Sequence, residues 1–125
     1  MEIITATNAP AAIGPYSHAI THNGTVFCSG QIPFDPDTME IVGDTIEAQT
    51  EQAMKNVKTV LEAAGSSVDK IIKVSIFLDN IGDFANMNKA YEAALEGHKP
   101  ARSTYEVGHL PKDALVEIEC IAALG

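Results

Sequence analysis

Arg102 is the single arginine among eight Lys and Arg in a chain of 125 residues, and it sits in Lys99-Pro100-Ala101-Arg102-Ser103-Thr104-Tyr105-Glu106-Val107. Its planar fork of donors grips a carboxylate through two parallel hydrogen bonds, which the seven lysines cannot do. The surrounding stretch is strand-like and largely apolar, and burying a guanidinium there without a partner is costly. An anion must meet it, from the protein or from a ligand. Glu117, in Val116-Glu117-Ile118-Glu119, is the protein carboxylate that the sequence offers first. Only Gly108-His109-Leu110-Pro111-Lys112-Asp113-Ala114 separates the two strands, so Arg102 and Glu117 are expected as antiparallel neighbours or near-neighbours. A structural ion pair and a carboxylate-binding site then compete as explanations.

The elements that must hold them are legible. A helix is expected from Asp44-Thr45-Ile46-Glu47, where an acid at the cap with Glu three later makes a capping-box pattern. Ile46, Ala53, Val57, Val60, Leu61 and Ala64 share its inner face, and Gly65 ends it. A second helix is expected over Asp83–Leu95, its stripe formed by Phe84, Met87, Tyr91 and Leu95, with Asn80 helping its start. Strands are expected at Lys70–Leu78, Thr25–Ile32, Leu115–Ala122, Ser17–Thr21 and Arg102–Val107. Pro33 and Asp35-Pro36-Asp37 mark turns, after which one further short strand fits.

The order β-β-(β)-α-β-α-β-β predicts a single α+β domain over residues 1–125, a mixed sheet with two helices on one face. In the last strand Val116, Ile118, Cys120 and Ala122 suit the helix-facing core. Leu115, Glu117, Glu119 and Ile121 point the other way, a mixture that fits an interface or a site better than a plain solvent face, although a Glu pair on an exposed strand face is commonplace.

Composition narrows the partners. The chain is 46% hydrophobic and 20% charged, with 17 acids against 8 bases and a formal charge of −9. That balance repels phosphate backbones, so no nucleic acid partner is expected. No apolar run is long enough to span a membrane, and Met1-Glu2-Ile3-Ile4-Thr5 has no basic, hydrophobic leader. Cys28 and Cys120 fall in strands with no metal spacing, and are expected to be buried thiols of a cytoplasmic protein.

Pro100-Ala101-Arg102-Ser103, Tyr105, Gly108, Leu110-Pro111 and Val116-Glu117-Ile118-Glu119 together resemble the signature of the Rid family, the reactive-intermediate deaminases formerly called YjgF-type proteins. Asn8-Ala9-Pro10-Ala11-Ala12-Ile13-Gly14-Pro15-Tyr16-Ser17 is similar to the family's N-terminal motif, and Ser29-Gly30-Gln31-Ile32-Pro33 to its second strand. Asn56-Val57 through Ala63-Ala64-Gly65 and Asp83-Phe84-Ala85 through Asn88 and Tyr91 resemble its two helices. The likeness covers nearly the whole chain and is closest to the RidA subgroup.

The resemblance implies a chorismate-mutase-like homotrimer with sites between subunits. It also implies cofactor-independent hydrolysis of enamines and imines, such as 2-aminoacrylate and 2-aminocrotonate, to 2-oxo acids and ammonia. Carried over to this chain, Arg102 would hold the substrate carboxylate and Glu117 would position and polarise the attacking water. Tyr16 and Ser29 would line the pocket, Thr104 would offer backbone groups near the nitrogen, and Asn88 would support the pocket. Without the resemblance, Tyr16 reads as packing a turn, Ser29 as a ladder residue and Asn88 as a hydrogen bond to backbone. Relatives often carry cysteine at the position of Thr104 and a longer segment before Pro-Ala-Arg than Glu96-Gly97-His98-Lys99, which bears on the pocket rim.

Other constellations are weaker. His18 and His22, four apart in an extended segment with no third ligand nearby, do not make a zinc pair. Asp35-Pro36-Asp37 lacks the other ligands of a calcium loop. No metal is expected. A nuclease role, attributed to some relatives, fits poorly with the acidic charge. The alternative from another class is a non-catalytic module that binds small carboxylates such as 2-oxo acids, or steadies a partner protein. It would keep Arg102 but has no need of Glu117.

Overall fold

A computed structural model describes residues 1–125. Alternation organises the sheet. In Val116–Ala123 (β6) Val116, Ile118, Cys120 and Ala122 are buried, while Glu117, Glu119 and Ile121 emerge on the other side. The remaining strands are β1 (Glu2–Ile4), β2 (Ala19–His22), β3 (Thr25–Gln31), β4 (Ile71–Leu78) and β5 (Ala101–Glu106). They form one mixed sheet in the order β1-β2-β3-β6-β4-β5, antiparallel except for the parallel pair β4–β5. Expected strand ends differ from these by one or two residues. Strand β1 was not expected, because three residues at an edge show no usable alternation. The further short strand after the turns is a single bridge, Phe34 to Ile41.

Helix α1 spans Ile46–Ala63 and helix α2 spans Phe84–Leu95. The cap of α1 is Thr45, not Asp44: Thr45 has the extended backbone a cap requires, and its hydroxyl accepts from Ala48 N at 3.2 Å. At the other end Gly65 takes φ +85°, Ser66 N donates to Leu61 O at 2.9 Å and Gly65 N to Glu62 O at 3.1 Å, the paired bonds of a Schellman stop. Asn80 accepts from Gly82 N and so caps the short 3₁₀ turn that feeds α2. Val57, Val60 and Leu61 of α1 and Met87 and Leu95 of α2 close the core against Val74, Ile76, Val116 and Ile118.

Of the two relations expected for the strands of Arg102 and Glu117, antiparallel near-neighbours holds and direct pairing does not. Strands β5 and β6 are not paired, since β4 lies between them. The β4-α2-β5 unit returns the chain parallel to β4 on the outside, as a strand-helix-strand crossover does. The loop after β5 then crosses the end of β4, where Val107 N donates to Leu78 O at 2.9 Å and Asp79 N to Leu115 O at 3.1 Å. A short connection therefore places β6 two strands away rather than one.

Both helices lie on one face. The other face carries a row of facing apolar side chains across four strands, Ile3–Ile20–Phe27–Ile121, and the rings of Phe77 and Tyr105 stack beside it at 6.4 Å. Ile3, Phe27 and Tyr105 are exposed in the single chain. No helix is long and apolar enough to cross a membrane.

Candidate active site

Arg102 faces Val74 across the β4–β5 pair, so it leaves the sheet on the helix side, at the edge. Phe84, Asn88 and Tyr91 are spaced to share one face of α2 and meet it there. The guanidinium carbon lies 5.3 Å from the Phe84 ring centre and 5.0 Å from that of Tyr91, within cation–π range of both. Nη1 donates to Asn88 Oδ1 at 2.8 Å. Asn88 thus bonds the guanidinium and not the backbone. The two ion pairs of the protein, Lys55–Glu51 and His109–Asp113, involve neither Arg102 nor Glu117. Of the two competing explanations, the structural Arg102–Glu117 pair is set aside. A cleft of about 370 Å³ opens at the guanidinium, lined also by Asn88, Tyr91, His98, Lys99 and Pro100.

Two hydroxyls on this side have no partner. Thr104, two residues along β5, has a buried Oγ1 with none, and so does Tyr91 Oη. Burial raises the Tyr91 phenol above its ordinary pKa, with the Arg102 charge opposing.

Glu117 faces Phe77 across β4–β6 and leaves the sheet on the uncovered side. It borders a pocket of about 550 Å³ with Tyr16, Ser29, Gly30, Ile32 and Pro111 on its walls. Burial pushes its carboxyl above the ordinary glutamate pKa, and the nearby charge of Glu119 adds to that. Ser29 Oγ is spent on Ser17 O at 2.6 Å, so its hydrogen fixes the entry to β2. Tyr16 Oη accepts from Ile13 N at 3.2 Å and keeps its own hydrogen to offer. Tyr16 is 51% exposed.

Sequence reasoning missed the residues that shape this pocket from behind. His18 is buried, accepts from Ala6 N through Nδ1 at 2.9 Å, and donates through Nε2 to Pro10 O at 2.8 Å. A backbone N–H can only donate, so the ring is neutral with its proton on Nε2. Both nitrogens clamp the loop that delivers Tyr16, and neither is free to pair with His22. Asn56 is buried on α1 and donates to Ile32 O at 3.1 Å and Phe34 O at 3.0 Å, holding the pocket's far wall. A polar residue on an otherwise apolar helix face was the available signal for Asn56.

The predicted residues therefore fall into two groups. Arg102, Asn88 and Thr104 gather on the helix side at the β5 edge. Glu117, Tyr16 and Ser29 gather on the opposite face. Within one chain the two groups do not meet.

Comparison with known proteins agrees with the fold. The family model described as Endoribonuclease L-PSP matches residues 6–124. A RutC family protein of Pyrococcus horikoshii is 50% identical over 97% of this chain and 96% of its own length. The 2-iminobutanoate/2-iminopropanoate deaminase of Salmonella typhimurium is 47% identical over 95% of this chain and 94% of its own length. The crystal structure of E. coli TdcF with bound serine superposes with a TM-score of 0.94 at 41% identity, covering 100% of both chains. The chain belongs to the endoribonuclease L-PSP family, the YjgF/Rid proteins.

Proposed function

We propose that this protein hydrolyses reactive enamines and imines of the 2-aminoacrylate and 2-aminocrotonate type to 2-oxo acids and ammonia, in a homotrimer whose sites lie between copies. The observation that carries it is the state of the two charges. Arg102 is oriented by two rings and one amide but has no carboxylate partner. Glu117 is half-buried in a separate pocket and forms no ion pair, Lys112 on the pocket wall included. A free fork and a free carboxylate suit a substrate that is an anion at one end and an electrophile at the other.

The apolar row Ile3–Ile20–Phe27–Ile121 on the uncovered face supports assembly, because such a surface is normally buried against another chain. A second copy brought against it would place its own Arg102 edge at the Glu117 pocket. The relatives support the chemistry: one is named a 2-iminobutanoate/2-iminopropanoate deaminase, and a second was crystallised with serine, a small amino acid with the same carboxylate end.

In this reading the enamine first tautomerises to its imine, protonated on nitrogen. Arg102 takes the substrate carboxylate in a two-pronged grip while Asn88 holds one Nη. Glu117 in its ionised form accepts a proton from water as the oxygen attacks the iminium carbon, and returns it to the nitrogen of the resulting carbinolamine. As the C–N bond breaks, the hydroxyl proton passes through Glu117 to the departing ammonia. The products are the 2-oxo acid and ammonium. Tyr16 offers a hydroxyl hydrogen beside Glu117. The substrate is already electrophilic, so positioning and one proton carrier suffice.

The test is direct. A dehydratase generates 2-aminoacrylate or 2-aminocrotonate in place, and its absorbance is followed with and without this protein. Faster loss than the spontaneous rate, with most of the acceleration lost in Arg102→Lys and in Glu117→Gln, is the expected result. No acceleration, with 2-oxo acid binding that depends on Arg102, would replace the enzyme by the carboxylate-binding module.

A further inference from the structure

Gly30 sits where β3 loses register with β6. Cys28 pairs with Cys120 and Gln31 with Ile118, so three steps on β3 match two on β6, a bulge at Ser29-Gly30. Bulges re-aim side chains, and here the side chain is Glu117, which immediately precedes Ile118 on the facing strand. A Cβ built on Gly30 would lie 2.6 Å from Glu117 Oε2, 2.9 Å from its Cδ and 3.2 Å from its Cγ. The carboxylate thus lies flat against the Gly30 backbone, in space that any other residue would fill.

The reason for glycine is close approach and nothing else. Gly30 is absent from the glycines with positive φ, so alanine can adopt its backbone without strain. The three atoms nearest to an added Cβ all belong to Glu117, and all lie along a flexible side chain. The closest conflict of a methyl group there is with the Glu117 carboxylate, which can swing away while the strand backbone stays in place.

We propose that Gly30 is a positioning residue: its missing side chain is the notch that holds the Glu117 carboxylate in the pocket, and any side chain there expels it toward solvent. The proposal rests on the reading of Glu117 as the water-activating carboxylate, and it adds a site determinant to that reading. Burial in the notch also accounts for the direction in which the Glu117 carboxyl is shifted.

Gly30→Ala is tested by itself and combined with Glu117→Gln, with Gly108→Ala as control, because a Cβ at Gly108 meets nothing and its φ is ordinary. Carbon-13 NMR follows the Glu117 carboxyl through its titration, and imine hydrolysis gives kcat and KM. The expected result is a melting temperature at neutral pH no lower than that of the native protein, a Glu117 titration moved down toward the ordinary glutamate value, and a kcat lowered about 10- to 100-fold with KM little changed, the scale of a misplaced catalytic group. In the Glu117→Gln background, Gly30→Ala should cost less than about twofold, since both changes disable one unit. An unmoved Glu117 titration in Gly30→Ala, or a full further loss in the double variant, overturns the notch. If Glu117→Gln alone leaves hydrolysis unchanged, the catalytic reading of Glu117 falls instead, and the titration still decides whether the notch exists.

Discussion

Arg102 and Glu117 leave the same sheet on opposite faces, from strands that both flank β4. Arg102 is in register with buried Val74 and turns toward α2. Glu117 is in register with Phe77, three residues along β4, and turns toward the uncovered side. Neither has an ionic partner within the chain. The two groups that the proposed chemistry needs on one substrate are thus kept apart by the thickness of a sheet, which is why the proposed site draws on a second copy.

The clamp on Arg102 divides into fork and support. Arg102→Lys keeps the charge but loses the paired bonds, and kcat/KM should fall about 100-fold, the scale of one or two charge-assisted hydrogen bonds. Asn88→Ala removes the amide that orients Nη1. Its effect should be about tenfold and appear chiefly in KM. Steady-state kinetics on 2-aminocrotonate checks both, and an Asn88→Ala enzyme with unchanged KM counts against the support role.

Acid should inactivate the enzyme earlier than an ordinary glutamate would. Glu117 must be ionised to take the proton from water, and burial with the Glu119 charge raises its pKa. The acid limb of the kcat profile is therefore displaced upward from the ordinary glutamate range. Glu119→Gln removes the lesser of the two causes and should shift that limb down. A limb at the ordinary value in the native enzyme contradicts the assignment.

The same shift makes Glu117 a liability for folding. The folded state binds its proton more tightly than the unfolded state does. Stability is therefore lost as pH rises from the ordinary carboxylate range through the raised value, and nothing is lost below that range. Glu117→Gln should melt higher than the native protein at neutral pH and at the same temperature in acid. Calorimetry at the two pH values checks it. Equal melting temperatures at neutral pH would show that the carboxylate is fully hydrated in the folded state.

Assembly should fail when the uncovered face is charged. Phe27 lies in the middle of the row from Ile3 to Ile121. Phe27→Asp puts an unpaired carboxylate into the proposed interface, where burial costs several kcal/mol. Sedimentation should show monomers that keep the native circular dichroism and hydrolyse no imine. Active monomers would remove the need for a second copy.

Much of this was legible in the sequence, and the exceptions have physical causes. The helices were marked by apolar spacing and by Gly65, and β4, β3 and β6 by β-branched runs. The stripe of α2 gave Phe84 and Tyr91, although not their use as a cradle for Arg102. Pairing of β5 was not legible, because a short loop that crosses a strand end looks like a hairpin until the neighbouring strand is known. His18 was invisible as a clamp, since its partners are the backbone atoms of Ala6 and Pro10. The notch at Gly30 depends on a bulge, and one glycine in a strand does not disclose what approaches it.

Mixing two disabled variants tests the shared site most directly. Arg102→Lys and Glu117→Gln chains, each strongly impaired, are unfolded together in equal amounts and refolded. If every site takes Arg102 from one copy and Glu117 from its neighbour, random assembly leaves about a quarter of the sites with both native groups, as a head-to-tail ring requires. The expected result is recovery of about a quarter of the native rate, with no gain over its own residual rate when either variant is refolded alone. No recovery from a mixture shown to contain mixed trimers would contradict the account, because both groups would then act within one chain.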